Sequence, residues 1–201
     1  MNIFIPIIIG YALGCINFAY IISKLHGFDI RDTGSGNAGA SNVKIALGWG
    51  AGVFTAVSDI LKSFLAVVIA RALFPNYELA GYIAGAMAVV GHIFPFYMKF
   101  RGGKGYACYA GLLLAIDWKF ALAMMLYGVV VTLITNYIAL ATISTTVITP
   151  MYMYLNRKSW AIIGIFLVLM VLIIYKHKIN IIRIWKHEEI GLRHNKKQGD
   201  S

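Results

Sequence analysis

Three stretches of this chain combine glycine, amide and cation in a way that plain membrane anchors do not. The first is Gly34-Ser35-Gly36-Asn37-Ala38-Gly39-Ala40-Ser41-Asn42-Val43-Lys44. Glycines let the main chain turn its N–H groups toward one point, and such a nest attracts anions. The helix start that follows adds a partial positive charge. The string holds the spacing G-x-G-x-x-G, but no strand precedes it and no strand–helix–strand unit surrounds it, so a dinucleotide fold is excluded. The second stretch is Gly91-His92-Ile93-Phe94-Pro95-Phe96, continuing to Lys99-Phe100-Arg101-Gly102-Gly103-Lys104-Gly105. Gly102 and Gly103 permit close approach of the backbone to a ligand, and Lys104 supplies a point charge. The spacing of a nucleotide-binding P-loop is absent. The third stretch runs from Tyr175 to Arg183, where His177, Asn180 and Arg183 can share one side of a helix end. Together these types suit the binding of phosphate groups, with imidazoles that titrate near neutrality close by.

Each stretch also has a plainer reading. The first could be a glycine-rich turn between spans, the second a positive inner loop, and the third a set of cations facing a helix dipole. Asp59 and Lys62 lie three residues apart inside an apolar run. Intramembrane charge is costly, so they are expected to face the bundle interior and to pair, as a structural ion pair in the first instance.

The elements that must position these residues are membrane helices. The chain has 201 residues, 60% of them hydrophobic and 13% charged, and a mean hydropathy of +0.74. A soluble domain is about 25% charged. Two cysteines, Cys15 and Cys108, lack metal-ligand spacing and read as packing residues. Apolar segments fall at roughly 3–23, 47–70, 79–97, 105–117, 119–136, 138–155 and 159–175, against a need for about 20 residues per crossing. The expectation is an all-α integral membrane protein, a seven-helix transmembrane bundle with Gly-rich cytoplasmic loops. The segment at 105–117 is the one whose length makes a full crossing doubtful. The formal net charge of +10 would suggest nucleic acid in a soluble protein. Here most basic residues sit in one set of loops and in the C-terminal tail, which by the positive-inside rule implies N-terminus out and C-terminus in. One membrane domain over 1–192 is expected, with a polar tail at 193–201. Gly81 and Gly85 form a small-xxx-small pair suited to close helix packing.

In this order, the blocks at 34–43, 91–95 and 100–105, and His177-Lys178-Ile179-Asn180-Ile181 with Arg183 and Glu189, resemble the PlsY family of bacterial acyl-phosphate:glycerol-3-phosphate acyltransferases. The resemblance runs over nearly the whole chain. It implies a multi-pass bacterial inner-membrane enzyme whose active site faces the cytoplasm. Such an enzyme transfers a fatty acyl group from acyl phosphate to the sn-1 hydroxyl of glycerol 3-phosphate. It gives lysophosphatidic acid and inorganic phosphate, with membrane lipid as its surroundings and with no metal or other cofactor. On this chain the resemblance gives catalytic roles to Ser35, Lys104, His177 and Asn180. It gives substrate-binding roles to Gly34, Gly36, Asn37, Gly39, Ser41, Asn42, Lys44, His92, Gly102, Gly103, Gly105, Thr142, Arg183 and Glu189.

The chain departs from the family pattern at polar positions. Where the family has a variable residue and then Arg, this chain has Lys44 and Ile45. Where it tends to read Thr-Arg-Tyr-x-Ser-x-x-Ser, the chain reads Thr135-Asn136-Tyr137-Ile138-Ala139-Leu140-Ala141-Thr142. Two readings from other classes stand beside the enzyme. A diverged paralogue would bind acyl phosphate or lipid without turnover. A small transporter of organic phosphates has little support, because no internal repeat is visible.

Overall fold

The computed structural model describes residues 3–191 and residue 193. Apart from residue 193, the tail expected over 193–201 lies outside the described residues. Among the described residues the α-helices are α1 Phe4–Cys15, α2 Phe18–Leu25, α3 Ala40–Leu47, α4 Trp49–Leu73, α5 Leu79–Ile93, α6 Tyr106–Ile116, α7 Trp118–Thr135, α8 Ile138–Leu155, α9 Trp160–Lys176 and α10 Lys178–Trp185. It divides into two compact units, Met1–Ala121 and Leu122–Ser201.

Helix α4 shows why the first unit belongs in a bilayer. Its exposed face carries Val53, Phe54, Val57, Leu61, Leu65 and Val68, whereas Thr55, Asp59, Lys62, Ser63 and Ala66 are buried. Apolar outside and polar or small inside is the pattern of a helix solvated by lipid. In this unit α1 packs on α5, and α4 packs on both α5 and α6. Small residues set the closeness of these contacts. A Cβ on Gly10 or Gly14 would come within 2.1 Å of the Ala84 carbonyl oxygen or 2.3 Å of that of Ala88. Gly111 meets the Ile60 carbonyl oxygen of α4 in the same way, at 2.1 Å. The expected pair Gly81 and Gly85 instead makes room for the side chains of Arg71, Val67 and Leu112. In the second unit α9 packs on α8 and continues into α10.

The expected seven-helix bundle is not what the structure contains. Among the described residues five helical segments are long and apolar enough to cross a membrane: Phe4–Leu25, Trp49–Leu73, Leu79–Met98, Trp118–Thr135 and Ile138–Leu155. A sixth arises if Trp160–Lys176 and Lys178–Trp185, bent by 53°, count as one span. The overcount has a simple cause. Helix α6 has 11 residues, a rise of about 16 Å, about half of a hydrocarbon core. Helix α9 has 17 residues, about 26 Å, and lengthens only through the bend at His177. The basic-loop argument for N-terminus out and C-terminus in needs an odd number of crossings, which five give and six do not.

The first span is also broken. Helix α1 ends at Cys15 and α2 starts at Phe18, with the Asn17 side chain capping α2 by accepting from Tyr20 N at 2.9 Å. The Tyr97 hydroxyl closes the gap, donating to Cys15 O at 2.8 Å and accepting from Asn17 N at 3.2 Å. Nothing in the apolar flanks announces this break. Asn17, a lone amide inside an apolar run, is its one signal.

Candidate active site

The expected site residues fall in both units. Gly34, Ser35, Gly36, Asn37, Gly39, Ser41, Asn42, Lys44, His92, Gly102, Gly103, Lys104 and Gly105 belong to the first. Thr142, His177, Asn180, Arg183 and Glu189 belong to the second.

In the first unit the two glycine-rich stretches touch. Asn42 is fully buried and holds the first loop together. Its Nδ2 donates to Ile30 O at 2.8 Å and to Thr33 O at 3.0 Å, and its Oδ1 accepts from Ser35 N at 2.9 Å. Gly34 needs its left-handed backbone (φ +52°), and a Cβ there would lie 2.3 Å from Asn42 Oδ1. Asn42 therefore shapes the loop, while Gly34, Ser35, Gly36 and Ser41 stay exposed on it. The loop ends at α3, whose N-cap Gly39 offers no side chain to the first-turn N–H groups.

The second loop is built against His92 at the end of α5. Gly103 N donates to His92 O at 3.1 Å, and Gly102 N donates to Ile93 O at 3.0 Å. These two N–H groups face inward, so the glycines serve close approach rather than donation to a ligand. A Cβ on Gly103 would lie 2.1 Å from His92 Nε2 and 2.8 Å from Ala38 O. Lys104 follows, then Gly105 (φ +90°), which opens α6, again without a side-chain cap. Two uncapped helix starts thus have lead-in loops in direct contact, with Lys104 beside them. Both starts present partial positive charge and N–H groups, the arrangement that binds phosphate.

The remaining cations of this end are engaged in different ways. Arg31 pairs with Asp29 at 2.7 Å, and that contact raises the guanidinium's own pKa. The Lys44 ammonium lies 3.6 Å from the centre of the Trp49 ring. Ile45 is 57% exposed, and its Cγ2 would lie 3.7 Å from a Cβ on Gly34. The chain therefore presents a methyl group to the glycine turn at this position.

Below the second loop lie Asp59, Lys62, His92 and Cys108, all buried. Ligand atoms of Asp59, His92 and Cys108 lie within 4.8 Å of one another, which alone would suit a metal ion. Lys62 Nζ, however, sits 2.7 Å from Asp59 Oδ1 and 3.0 Å from His92 Nδ1. The ammonium is the cation of this cluster, and a metal there would compete with it.

An open apolar groove of about 640 Å³ borders the same unit, lined by Ala12, Ile16, Ile21, Leu25 and Phe96, with Lys24 also in its wall. Tyr97, whose hydroxyl bridges the α1–α2 break, is part of this wall too. Asn17 at that break donates to Ala38 O at 3.3 Å, which ties the groove to the first glycine loop.

In the second unit His177 is both the end of α9 and the start of α10, and it is buried. Its Nδ1 lies 2.8 Å from Ile173 O. A carbonyl can only accept, so Nδ1 carries the proton, and in the neutral ring Nε2 holds the lone pair. Asn180 Nδ2 donates to Glu189 Oε1, while Glu189 Oε2 is buried and makes no hydrogen bond within the described residues. Thr142 donates back to Ile138 O at 3.1 Å. Thr145, Thr146 and Thr149 are buried on the same helix and make similar back-bonds. This threonine ladder had no motif to announce it. Its signal was a run of hydroxyls inside an apolar segment.

Comparison with known proteins decides the family. The family model for glycerol-3-phosphate acyltransferase matches residues 4–187. The chain belongs to the glycerol-3-phosphate acyltransferase family. A member from Brucella anthropi is 37% identical over 179 residues, covering 89% of this chain and 87% of its own length. The crystal structure of PlsY (YgiH), an integral membrane glycerol 3-phosphate acyltransferase, in its glycerol 3-phosphate form is 33% identical. It aligns with a TM-score of 0.89 over 96% of each chain. Its lysophosphatidic acid form, also 33% identical, aligns with a TM-score of 0.86 over 95% of each. The likeness to the solved family members makes the chain an integral, multi-pass bacterial membrane protein. The expected PlsY-family acyltransferase is thereby borne out.

Proposed function

We infer that this chain is a membrane glycerol-3-phosphate acyltransferase whose phosphate cradle is the junction of the two glycine loops. It transfers an acyl group from acyl phosphate to the sn-1 hydroxyl of glycerol 3-phosphate. The hydroxyl oxygen bonds to the acyl carbon, the bond from that carbon to the phosphate oxygen breaks, and the hydroxyl proton ends on the departing inorganic phosphate, leaving the acyl chain on lysophosphatidic acid. The donor is already activated, so the protein needs no acyl-enzyme. Holding both reactants in near-attack geometry supplies about 7–11 kcal/mol of the barrier reduction.

The observation that carries the cradle is the approach of Gly103 to Ala38, which brings together the loops leading into α3 and α6, with Lys104 next to Gly103 in the chain. The exposed Ser35, with Asn37 and Ser41, supplies hydroxyl and amide groups there. The groove beside Tyr97 accepts the acyl chain. In the second unit, His177 and Asn180 take acceptor-positioning roles. The support is the motif match, the fixing of the His177 ring by its Nδ1 contact with Ile173 O, and the grip of Glu189 on Asn180. Arg183 and Thr142 keep substrate-binding roles on the motif match.

The cradle faces the cytoplasm in this reading. Lys24, Arg31, Lys44, Lys99, Arg101 and Lys104 all lie in or beside the two loops that meet there, and short basic loops stay on the inner side. A cysteine placed at Ser35 in intact cells should resist a membrane-impermeant maleimide and react after lysis. The activity test is lysophosphatidic acid formation by purified protein from palmitoyl phosphate and glycerol 3-phosphate, with phosphate release measured in parallel. Lys104→Ala should raise the KM of at least one phosphate substrate. Unchanged KM and turnover would remove Lys104 from the cradle.

A further inference from the structure

An ammonium buried in a membrane span needs partners, and Lys62 has more than an ion pair requires. It is 4% exposed, with Asp59 at 1% and His92 at 3%. An ammonium has three protons. Lys62 Nζ donates to Ile16 O at 2.6 Å, forms an ion pair with Asp59 Oδ1 at 2.7 Å, and reaches His92 Nδ1 at 3.0 Å. Asp59 Oδ1 is farther from the same ring nitrogen, at 3.3 Å. Ammonium and carboxylate thus both meet the imidazole at Nδ1, and together they fix the ring from that edge.

The Nε2 edge is the surface on which the second glycine loop rests. A Cβ on Gly103 would lie 2.1 Å from Nε2, and the carbonyl of His92 itself accepts from Gly103 N. Ring and main chain of one residue therefore hold Gly103, with Ala38 O pressed against the same face of the glycine. Lys104 is the next residue. Lys62 also grips Ile16 O at the α1–α2 break, whose Asn17 holds Ala38 O. One buried charge thus reaches both loops of the cradle.

We propose that Asp59, Lys62 and His92 are positioning residues for Lys104. The ion pair orients the imidazole, and the imidazole sets the Gly102-Gly103 turn from which Lys104 is presented. This rests on reading Lys104 as a phosphate ligand, so Lys104→Ala is measured first and identifies the substrate whose KM responds. Lys62→Met should raise that same KM by about 10- to 100-fold, the usual effect of small misplacements, and lower the unfolding temperature. The double variant Asp59→Leu/Lys62→Met removes both charges and should recover much of that stability, since a buried pair is often replaceable by apolar groups of similar volume. Its KM should stay high, because the imidazole has lost both partners that orient it at Nδ1. His92→Gln places an amide nitrogen near the position of Nε2 and should raise KM less than His92→Asn does.

Two results overturn the proposal. One is a double variant that recovers stability and KM together, which makes the cluster structural only. The other is His92→Gln and His92→Asn behaving alike in KM at equal unfolding temperature. If Lys104→Ala itself leaves every KM unchanged, the cradle reading fails, and that failure is separate from either of these.

Discussion

Arg31 donates through Nη1 to the Met98 carbonyl at 2.8 Å while its Nε and Nη2 hold both oxygens of Asp29, at 2.9 and 2.7 Å. One guanidinium thereby straps the lead-in of the first glycine loop to the turn that precedes the second. Lys24 adds an ion pair to Asp29 at 3.3 Å. The contact between Gly103 and Ala38 that makes the cradle depends on these two loops staying in register, and the strap is the charged link between them.

The strap gives a pH dependence with a definite sign. The Arg31 guanidinium, hydrogen-bonded to the carboxylate, holds the Asp29 carboxyl well below the usual carboxylate range. An unfolded Asp titrates near about 3.9. The folded value lies lower, so the contribution is complete above about pH 4 and is lost as pH falls from there through the folded value. Asp29→Asn removes it at every pH. The variant should lose about 1–3 kcal/mol at neutral pH, measured as a lower Tm in detergent. The gap to wild type should narrow steadily below about pH 4. A gap that is constant across that range would show that the carboxylate is not the group holding the strap.

Gly103→Ala tests the floor of the cradle. The new Cβ would meet His92 Nε2 and Ala38 O at 2.1 and 2.8 Å, and neither belongs to a flexible chain end. The turn must move. A shift of about 1 Å in a substrate-positioning element costs on the order of 100-fold in rate, while overpacking costs about 1–3 kcal/mol of stability. We expect a folded protein by size-exclusion chromatography with kcat/KM down by about two orders of magnitude. Near-normal turnover would mean that the loop position is not critical.

Asn42→Ala and Asn42→Asp separate shape from chemistry in the first loop. Alanine removes three hydrogen bonds and leaves Ile30 O, Thr33 O and Ser35 N to find new partners. That should cost about 2–4 kcal/mol, since each unsatisfied buried group costs about 1–3 kcal/mol. Aspartate keeps an acceptor for Ser35 N but turns a carboxylate oxygen toward two carbonyls in a fully buried site. It should be the worse of the two in both Tm and activity. If aspartate is the better tolerated, Asn42 does not serve the loop as its donor.

How much of this was readable beforehand follows from what each feature depends on. The glycine loops, Lys104 and the His177–Asn180 spacing are local strings, and they stood out against the apolar background. The i,i+3 pair of Asp59 and Lys62 was equally local and is present at 2.7 Å. Its third member was not readable, because His92 joins from another helix. The count of spans fails on helix length, since α6 has 11 residues and α9 has 17 before its bend. The run at 105–117 is apolar enough, but its helix has only 11 residues, bounded by Gly105 and Asp117. The small-xxx-small reading chose Gly81 and Gly85, whereas close backbone contacts are made by Gly10, Gly14 and Gly111. Spacing alone does not say whether a glycine faces a neighbour's backbone or its side chains.

Ile45 offers a gain-of-function test. It is 57% exposed beside the Gly34 turn, and the one cation next to it in sequence, Lys44, has its ammonium over the Trp49 ring. Ile45→Arg would place a planar, doubly donating cation where the chain now has a methyl group. Arginine suits phosphate through two parallel hydrogen bonds, each charge-assisted. A new charged hydrogen bond is worth about 1.5–3 kcal/mol, and each 1.4 kcal/mol is tenfold in affinity. Allowing for the entropy of ordering a long side chain, the KM for glycerol 3-phosphate should fall by about 3- to 10-fold, the equivalent of about 1 kcal/mol. The KM for glycerol 3-phosphate should also become more sensitive to salt. Trp49→Ala, which frees Lys44, should lower KM less, because an ammonium lacks the fork. If Ile45→Arg leaves KM and its salt dependence unchanged, position 45 does not face the phosphate, and the first loop contributes its main-chain donors without help from that side.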